Sequence, residues 1–331
     1  GAVNLPFVEA LASAAGLAVV RQRLLQGGAP QRSEAPSAVE CPMCRCVTEA
    51  GEPPRCGCGM AYMETDAPRL LAGKFQLTRR LGAGGTGAVY LARDVGLDRD
   101  VAVKTLVGVT AARLSGLKPE ARAMARVTHP AVAQIYGVEF WRGRSFLVVE
   151  FLGGGTLADR LRRGPVAEPQ AAAIATALAA GLAVLHGAGY VHGDVKPSNI
   201  GFTAAGTPKL LDFGLARVVN DATVAGGTLR YLSPEVLDGR PADESDDVWS
   251  LSVVLYEVVT GEHPFAGGGV NTVADRIRHQ RLRRNAWPAT GSETSSALLS
   301  FAASALSASR PSRPATAHEF ADAVHQILSR K

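Results

Sequence analysis

Residues 192–199 read His192-Gly193-Asp194-Val195-Lys196-Pro197-Ser198-Asn199, and thirteen positions after Asn199 comes Asp212-Phe213-Gly214. A carboxylate beside a Lys and an Asn in a tight loop, with a second carboxylate after a short hairpin, is the set that phosphoryl transfer calls for. Asp194 can orient an attacking hydroxyl, Lys196 can neutralise a moving phosphoryl group, and Asn199 and Asp212 can hold Mg²⁺. Upstream lies Gly82-Ala83-Gly84-Gly85-Thr86-Gly87. Its backbone N–H groups can approach phosphates because no Cβ intervenes. The same spacing opens dinucleotide folds, which need a helix next. Here Ala88-Val89-Tyr90-Leu91 reads as a strand, so the glycines belong to a hairpin.

Two kinds of element must position these groups. Strand-like alternation marks 75–81, 88–93, 101–106, 133–140 and 145–151, with a helix over 118–127 between the third and fourth. After Gly153-Gly154-Gly155 helical spacing dominates, over 156–163, 169–187, 247–260, 271–283, 293–306 and 315–329. A five-stranded lobe with one helix is therefore followed by a mainly helical lobe, an α+β arrangement. Ahead of it, 5–26 carries apolar residues at helical spacing and stops at Gly27-Gly28, and 29–38 reads as a Pro/Ser/Ala-rich linker. There is no internal repeat.

All five cysteines lie between positions 41 and 58. A secreted disulfide protein would spread them through its core, so a metal site in a reducing, cytoplasmic compartment is expected. Cys41-x-x-Cys44 and Cys56-x-Cys58, eleven residues apart, resemble a zinc ribbon with four thiolates. Cys46 competes for one place, and an Fe–S site or unligated thiols are the alternatives. A 26-residue segment over 39–64 has too little core to fold without such a staple.

Composition limits the rest. Hydrophobic residues make up 47% and charged residues 20%, enough for a full core and against bulk disorder. The net charge of +5 comes without a Lys/Arg tract, so nucleic acid is not an expected partner. The apolar stretch Leu11 to Val20 is too short to span a bilayer and has no basic flank ahead of it. Ala171 to Leu185 reads as a buried helix of the second lobe.

The catalytic and metal-binding loops resemble those of eukaryotic-type (bacterial Hanks-type) serine/threonine protein kinases. The resemblance covers 74–329, split into lobes 74–152 and 153–329, and implies the two-lobed kinase fold, ATP, Mg²⁺ and protein hydroxyls as acceptors. It makes Asp194 the base and Lys196 a phosphate contact. Lys104 of Val101-Ala102-Val103-Lys104 becomes the ATP lysine, with Glu120 its partner. By itself a Lys ending a strand is a solvated edge. It places nucleotide against Gly82, Gly84, Gly85, Gly87, Val89, Ala102, Val149, Glu150, Leu152 and Gly201. Thr228 would contact Asp194 and Lys196, Glu235 would pair with Arg313, and Asp247 would brace the catalytic loop.

Three positions depart from the family pattern. Gly193 stands where an Arg would receive a phosphorylated activation loop, so control is expected from residues 1–64, by docking a regulatory protein or by self-association, or from partner binding, rather than from Thr223. Ser252 replaces a Gly. Gly201 replaces an aliphatic residue beneath adenine, which weakens or reshapes the nucleotide pocket. Two other readings stay open, a pseudokinase scaffold and a small-molecule kinase; Ser233-Pro234-Glu235 favours a protein substrate. The arginines of 271–284 form a solvated face or a docking surface for an acidic partner. Loss of a Cys is expected to unfold the small module alone.

Overall fold

A computed structural model describes residues 35–51, 55–84, 87–107, 127–211, 229–282 and 292–329. The chain divides into two compact units: residues before 127 with Gln134–Phe151, and Val127–Ala133 with residues from Leu152 on.

The first unit carries two antiparallel sheets. The smaller contains β1 (Ser37–Glu40), β2 (Val47–Glu49) and β3 (Met63–Pro68), in the order β2-β1-β3. The larger contains β4 (Leu70–Leu71), β5 (Phe75–Gly84), β6 (Gly87–Asp94), β7 (Arg99–Leu106), β8 (Ile135–Trp141) and β9 (Arg144–Glu150), in the order β4-β5-β6-β7-β9-β8. The five long strands are those expected. The two-residue β4 is an addition, formed because the chain leaving β3 turns back at Ala72-Gly73 and pairs Leu70 with Gln76. The helix expected over 118–127 lies outside the described residues, apart from Val127.

Alternation decides which face of the larger sheet is core. Tyr90, Val103 and Val148 stand in register on β6, β7 and β9 and are buried. They pack with Phe75, Leu77 and Phe146, with Leu71 of β4, and also with Ala38, Val47 and Ala67 of the Cys-bearing segment. One hydrophobic core thus serves both sheets. Each such large side chain contributes on the order of 2 kcal/mol by leaving water. The Trp141 indole donates to Ala35 O at 2.9 Å, and Arg80 pairs with the buried Glu40 at 2.7 Å. The strands of this segment run over 37–68, beyond the 39–64 that the cysteines mark.

In the second unit the helices are α1 (Leu157–Leu161), α2 (Glu168–Gly187), α3 (Pro234–Leu237), α4 (Glu244–Thr260), α5 (Val270–Arg278), α6 (Glu293–Ala305) and α7 (Ala317–Leu328). A short hairpin, β10 (Ile200–Phe202) with β11 (Pro208–Leu210), follows the catalytic loop. Capping boxes start two helices, Thr156 with Asp159 and Asp243 with Asp246. Helix α2 is long and apolar enough to cross a membrane by length and composition. Its Ala171, Ile174, Leu178, Leu182 and Leu185 are buried within the unit, as the sequence suggests. Helix α5 is shorter than the predicted 271–283: His279 caps it and Gln280 takes the left-handed region at φ 50°. Its Arg278 pairs with Asp238 and Arg281, past its end, with Asp275, while Arg283 and Arg284 lie outside the described residues.

Candidate active site and cysteine cluster

The catalytic loop hangs on one buried carboxylate. Asp247 of α4 is 1% exposed and accepts the backbone N–H groups of His192 (2.7 Å) and Gly193 (2.8 Å). His186 Nε2 lies 2.9 Å from the same carboxylate. Gly193 sits at φ 72°, a left-handed conformation that costs glycine nothing. The loop then delivers Asp194. Its Oδ2 receives Asn199 Nδ2 at 2.7 Å and Lys196 Nζ at 2.8 Å, and Asn199 Nδ2 also donates to Asp194 O at 2.9 Å. Among the described residues, Asp194 Oδ1 is buried and has no hydrogen-bond partner. A buried carboxylate oxygen without a donor is costly unless a ligand supplies one. The arrangement therefore fits an incoming hydroxyl at Oδ1. Both bonds of Asn199 use its nitrogen, which leaves the carbonyl oxygen as the atom suited to Mg²⁺.

The space beside Gly201 is not a hole. A Cβ built there would lie 2.5 Å from Leu152 Cδ1 and 3.1 Å from Leu211 Cδ1. Two leucines from flanking segments thus occupy the volume that a side chain at 201 would fill. Residues 152–156 are tied to the hairpin by Gly154 N–H donating to Phe202 O at 2.8 Å and by a Thr156–Gly201 bridge.

In the first unit, Gly82, Val89, Lys104 and Leu147 stand in one row across β5, β6, β7 and β9, and Ala102 pairs with Val149. Residues two apart share a face. Val89, Ala102, Lys104 and Val149 therefore present the face opposite the shared core. Gly87, at φ 124°, is pinned where a Cβ would meet Thr105 O at 2.3 Å, and Ala88 N–H donates to Thr105 Oγ1 at 2.7 Å. The N–H of Glu150 donates to Gln134 O at 2.9 Å. Glu120, Asp212, Thr228, Thr223 and Gly85 lie outside the described residues.

Residues 75–326 match the protein kinase domain family. The chain belongs to the protein kinase family. The chain is 39% identical over 222 residues to the serine/threonine-protein kinase PknL of Mycobacterium tuberculosis, 64% of this chain and 55% of PknL. It is 37% identical over 235 residues to the serine/threonine-protein kinase PknB of Mycobacterium leprae, 67% of this chain and 37% of PknB. With the serine/threonine-protein kinase pkn2 of Myxococcus xanthus it shares 36% over 278 residues, 78% of this chain and 33% of pkn2. The chain spans about half or less of the length of these relatives.

The kinase's anchoring contacts lie in the helical unit. Arg313 Nη1 donates to Glu235 at 3.0 Å, its Nε and Nη2 reach Ser307 O and Ala308 O, and its guanidinium stacks on Trp249 at 4.5 Å. Burial works against the Glu235 carboxylate, but Arg313, the Glu235 N–H and Ser233 together outweigh it and hold the group below its usual range. Ser233 was not singled out from the sequence as a bonding group. Its hydroxyl donates to buried Asp246 at 2.6 Å and accepts Val236 N–H at the start of α3. Ser252 is fully buried and donates to Val248 O at 2.8 Å.

The kinase's cysteines lie in two turns with a like hydrogen-bond pattern, the first one residue longer than the second. Cys41 N–H donates to Cys46 O and Arg45 N–H to Cys41 O; Cys56 N–H donates to Met60 O and Gly59 N–H to Cys56 O. In each turn the residue after the second Cys is left-handed, Arg45 at φ 61° and Gly59 at φ 87°. Cys46 is thereby the counterpart of Met60, each two residues past the second Cys of its turn. Backbone N–H groups are aimed at four sulfurs: Met43 and Cys44 at Cys41, Cys46 at Cys44, Cys58 at Cys56, and Met60 at Cys58. Cys46 Sγ meets Cys44, Cys56 and the Tyr62 hydroxyl instead. Cys41–Cys58 are 3.4 Å apart and Cys44–Cys56 3.3 Å, near the edge of about 3.8 Å that a tetrahedral Zn–S₄ site implies. Distance alone groups Cys46 with Cys41, Cys44 and Cys56, all within 4.8 Å of one another. The Met60 N–H favours a Cys58 thiolate, but the neighbouring Cys41 and Cys56 thiols outweigh it and push Cys58 up to about 11; what favours Cys58 is its 3.4 Å approach to Cys41. The Cys58 N–H, helped by neighbouring thiols, brings Cys56 down to about 6.

Proposed function

We propose that the chain is an ATP-dependent serine/threonine protein kinase, active on protein hydroxyls and controlled through residues 1–64. Mg²⁺–ATP, when bound, supplies the γ-phosphoryl group. Asp194 Oδ1 receives the hydrogen of the acceptor hydroxyl and orients its oxygen. Lys196 and Asn199 hold the other carboxylate oxygen, so Asp194 cannot turn away. Lys196 also places a positive charge beside the transferred group. The Asp194–Lys196–Asn199 constellation is the observation that carries this reading. The relatives named serine/threonine-protein kinases support it.

A scaffold without turnover drew its support from Gly193 and Gly201. Leucines fill the space beside Gly201 and Asp247 holds the loop at Gly193, which weighs for the enzyme. With Gly193 offering no phosphate receiver, activity does not depend on phosphorylated Thr223. Zinc bound by Cys41, Cys44, Cys56 and Cys58 completes the reading, and its thiolates suit the cytoplasm. The test is incubation with labelled ATP and Mg²⁺, with phosphosites mapped by mass spectrometry. Wild type should modify Ser or Thr, and Asp194→Asn should lose transfer while still binding ATP. Wild type that labels neither itself nor a basic protein would move the choice to the scaffold.

A further inference from the structure

The Cys41–Cys46 turn sits on the strand that leads into the glycine-rich turn. Strand β5 has β6 on one side; on the other, β4 covers only Phe75 and Gln76. Beyond them the edge would be open, with unpaired N–H and C=O groups. The Cys-bearing segment closes it. Leu77 N–H donates to Arg69 O at 2.9 Å, Cys46 bridges Arg79, Arg80 N–H donates to Arg45 O at 2.8 Å, and Arg45 Nη1 reaches Leu81 O at 3.4 Å. The β5–β6 register slips twice in this stretch, between Leu77 and Arg79 and between Arg80 and Gly82. Where the ladder to β6 is irregular, the turn supplies the other partner. Two and four residues past Arg80 the strand reaches Gly82 and Gly84.

We propose that a metal ion held by Cys41, Cys44, Cys56 and Cys58 clamps the edge of β5 and so sets how tightly the glycine-rich turn holds nucleotide. The proposal rests on the zinc site above and adds its consequence. Arg45 has a left-handed backbone in the metal-side turn, and its carbonyl accepts from β5. The short stretch 41–46 has little core of its own to keep that carbonyl in place. Coordination fixes the turn at Cys41 and at Cys44, next to Arg45. Loss of the metal frees them, and with them the edge contacts at Arg79, Arg80 and Leu81. Cys46 contributes through its backbone bridge, so its thiol is dispensable for the metal.

Metal content by elemental analysis is measured together with the affinity for a fluorescent ATP analogue in Mg²⁺. Proteins compared are wild type, wild type stripped with a thiol-directed reagent and then freed of it, Cys58→Ser, Cys46→Ser and Arg45→Gly. Wild type and Cys46→Ser should carry metal. Stripped protein and Cys58→Ser should bind the analogue at least about fivefold more weakly, the low end of measured coupling between sites. Zinc added back should restore wild type. Arg45→Gly keeps the left-handed backbone and the metal but lacks the reach to Leu81 O, so it should weaken binding without losing metal. It carries the test if Cys58→Ser does not fold. Wild type without metal overturns the zinc site and the clamp together. Wild type with metal, but with stripped protein and Arg45→Gly binding the analogue unchanged, overturns the clamp and leaves the zinc site standing.

Discussion

Gly201 shows how one missing side chain is answered by its neighbours. The sequence alone suggests a gap beneath the adenine; Leu152 and Leu211 close it from two sides. A larger residue at 201 must therefore push Leu152 out of place, and overpacking of this kind costs about 1–3 kcal/mol. Gly201→Leu is expected to raise the KM for ATP severalfold with a smaller change in kcat, and Leu152→Ala in the same chain should recover part of the loss. Initial rates at varied ATP check this, and an unchanged KM in Gly201→Leu would contradict it. Asp194 belongs to the same scale: two of its bonds come from side chains within five residues, so its aim is set locally.

At the scale of elements, the structure joins segments that are far apart in sequence. Glu235 at the start of α3 and Arg313 before α7 form a largely buried pair, with Arg313 also satisfying two carbonyls. Removing one partner of a buried pair leaves an uncompensated charge, at a cost of about 3–5 kcal/mol. Arg313→Ala should lower the unfolding free energy by roughly 3 kcal/mol in a urea titration. Arg313→Lys should recover little, because an ammonium cannot reach the carboxylate and both carbonyls while lying flat on Trp249. A near-neutral Arg313→Ala would show that the carbonyl bonds and the stacking are redundant. The Cys-bearing segment and the kinase sheet are joined in the same way. Because Val47 and Ala67 pack with Phe75, Leu77 and Tyr90, losing the metal site should lower the stability of the first unit as a whole. This prediction opposes the expectation that a Cys substitution spares the kinase strands. Hydrogen exchange of Cys58→Ser should show faster exchange in β5 and β6; unchanged protection there would restore the separate-module view.

For the molecule as a whole, pH acts through buried groups whose charge the fold resists. Burial of His263, with Arg230 nearby, brings its imidazole from the usual 6.5 to about 4. Its Nδ1 accepts Phe265 N–H, and its ring meets Tyr231 edge-on at 5.1 Å. The native state therefore keeps it neutral while the unfolded chain takes a proton below 6.5. Stability falls as pH drops from 6.5 towards 4 and is flat in this respect below that. Between pH 7 and pH 5 the loss from this residue is about 2 kcal/mol. Half-buried Glu257 and buried Asp246, whose carboxyls are raised by loss of water contact, act in the opposite sense. The comparison of wild type with His263→Asn isolates the histidine. The variant should show less acid destabilisation, and parallel curves would contradict this.

Local chemistry was legible in the sequence. The order Asp194, Lys196, Asn199 reads directly because the bonds joining them span two to five residues. The five long strands read from alternation, and α2 and α4 from helical spacing and flanking motifs, since period and caps are local properties. Pairwise long-range contacts were legible only where a family pattern supplied them, as for Glu235 with Arg313. What occupies a space or covers an edge was not legible. Leu152 against Gly201, Ser233 on Asp246, and the cysteine turn on β5 join residues 13 to 49 positions apart. Such contacts follow from how whole elements stack, and no spacing rule along one chain encodes them. The cysteines show both sides. Their types and spacing suggest a metal site, but only the hydrogen bonds of the two turns set Cys46 in the place that Met60 takes in the other turn.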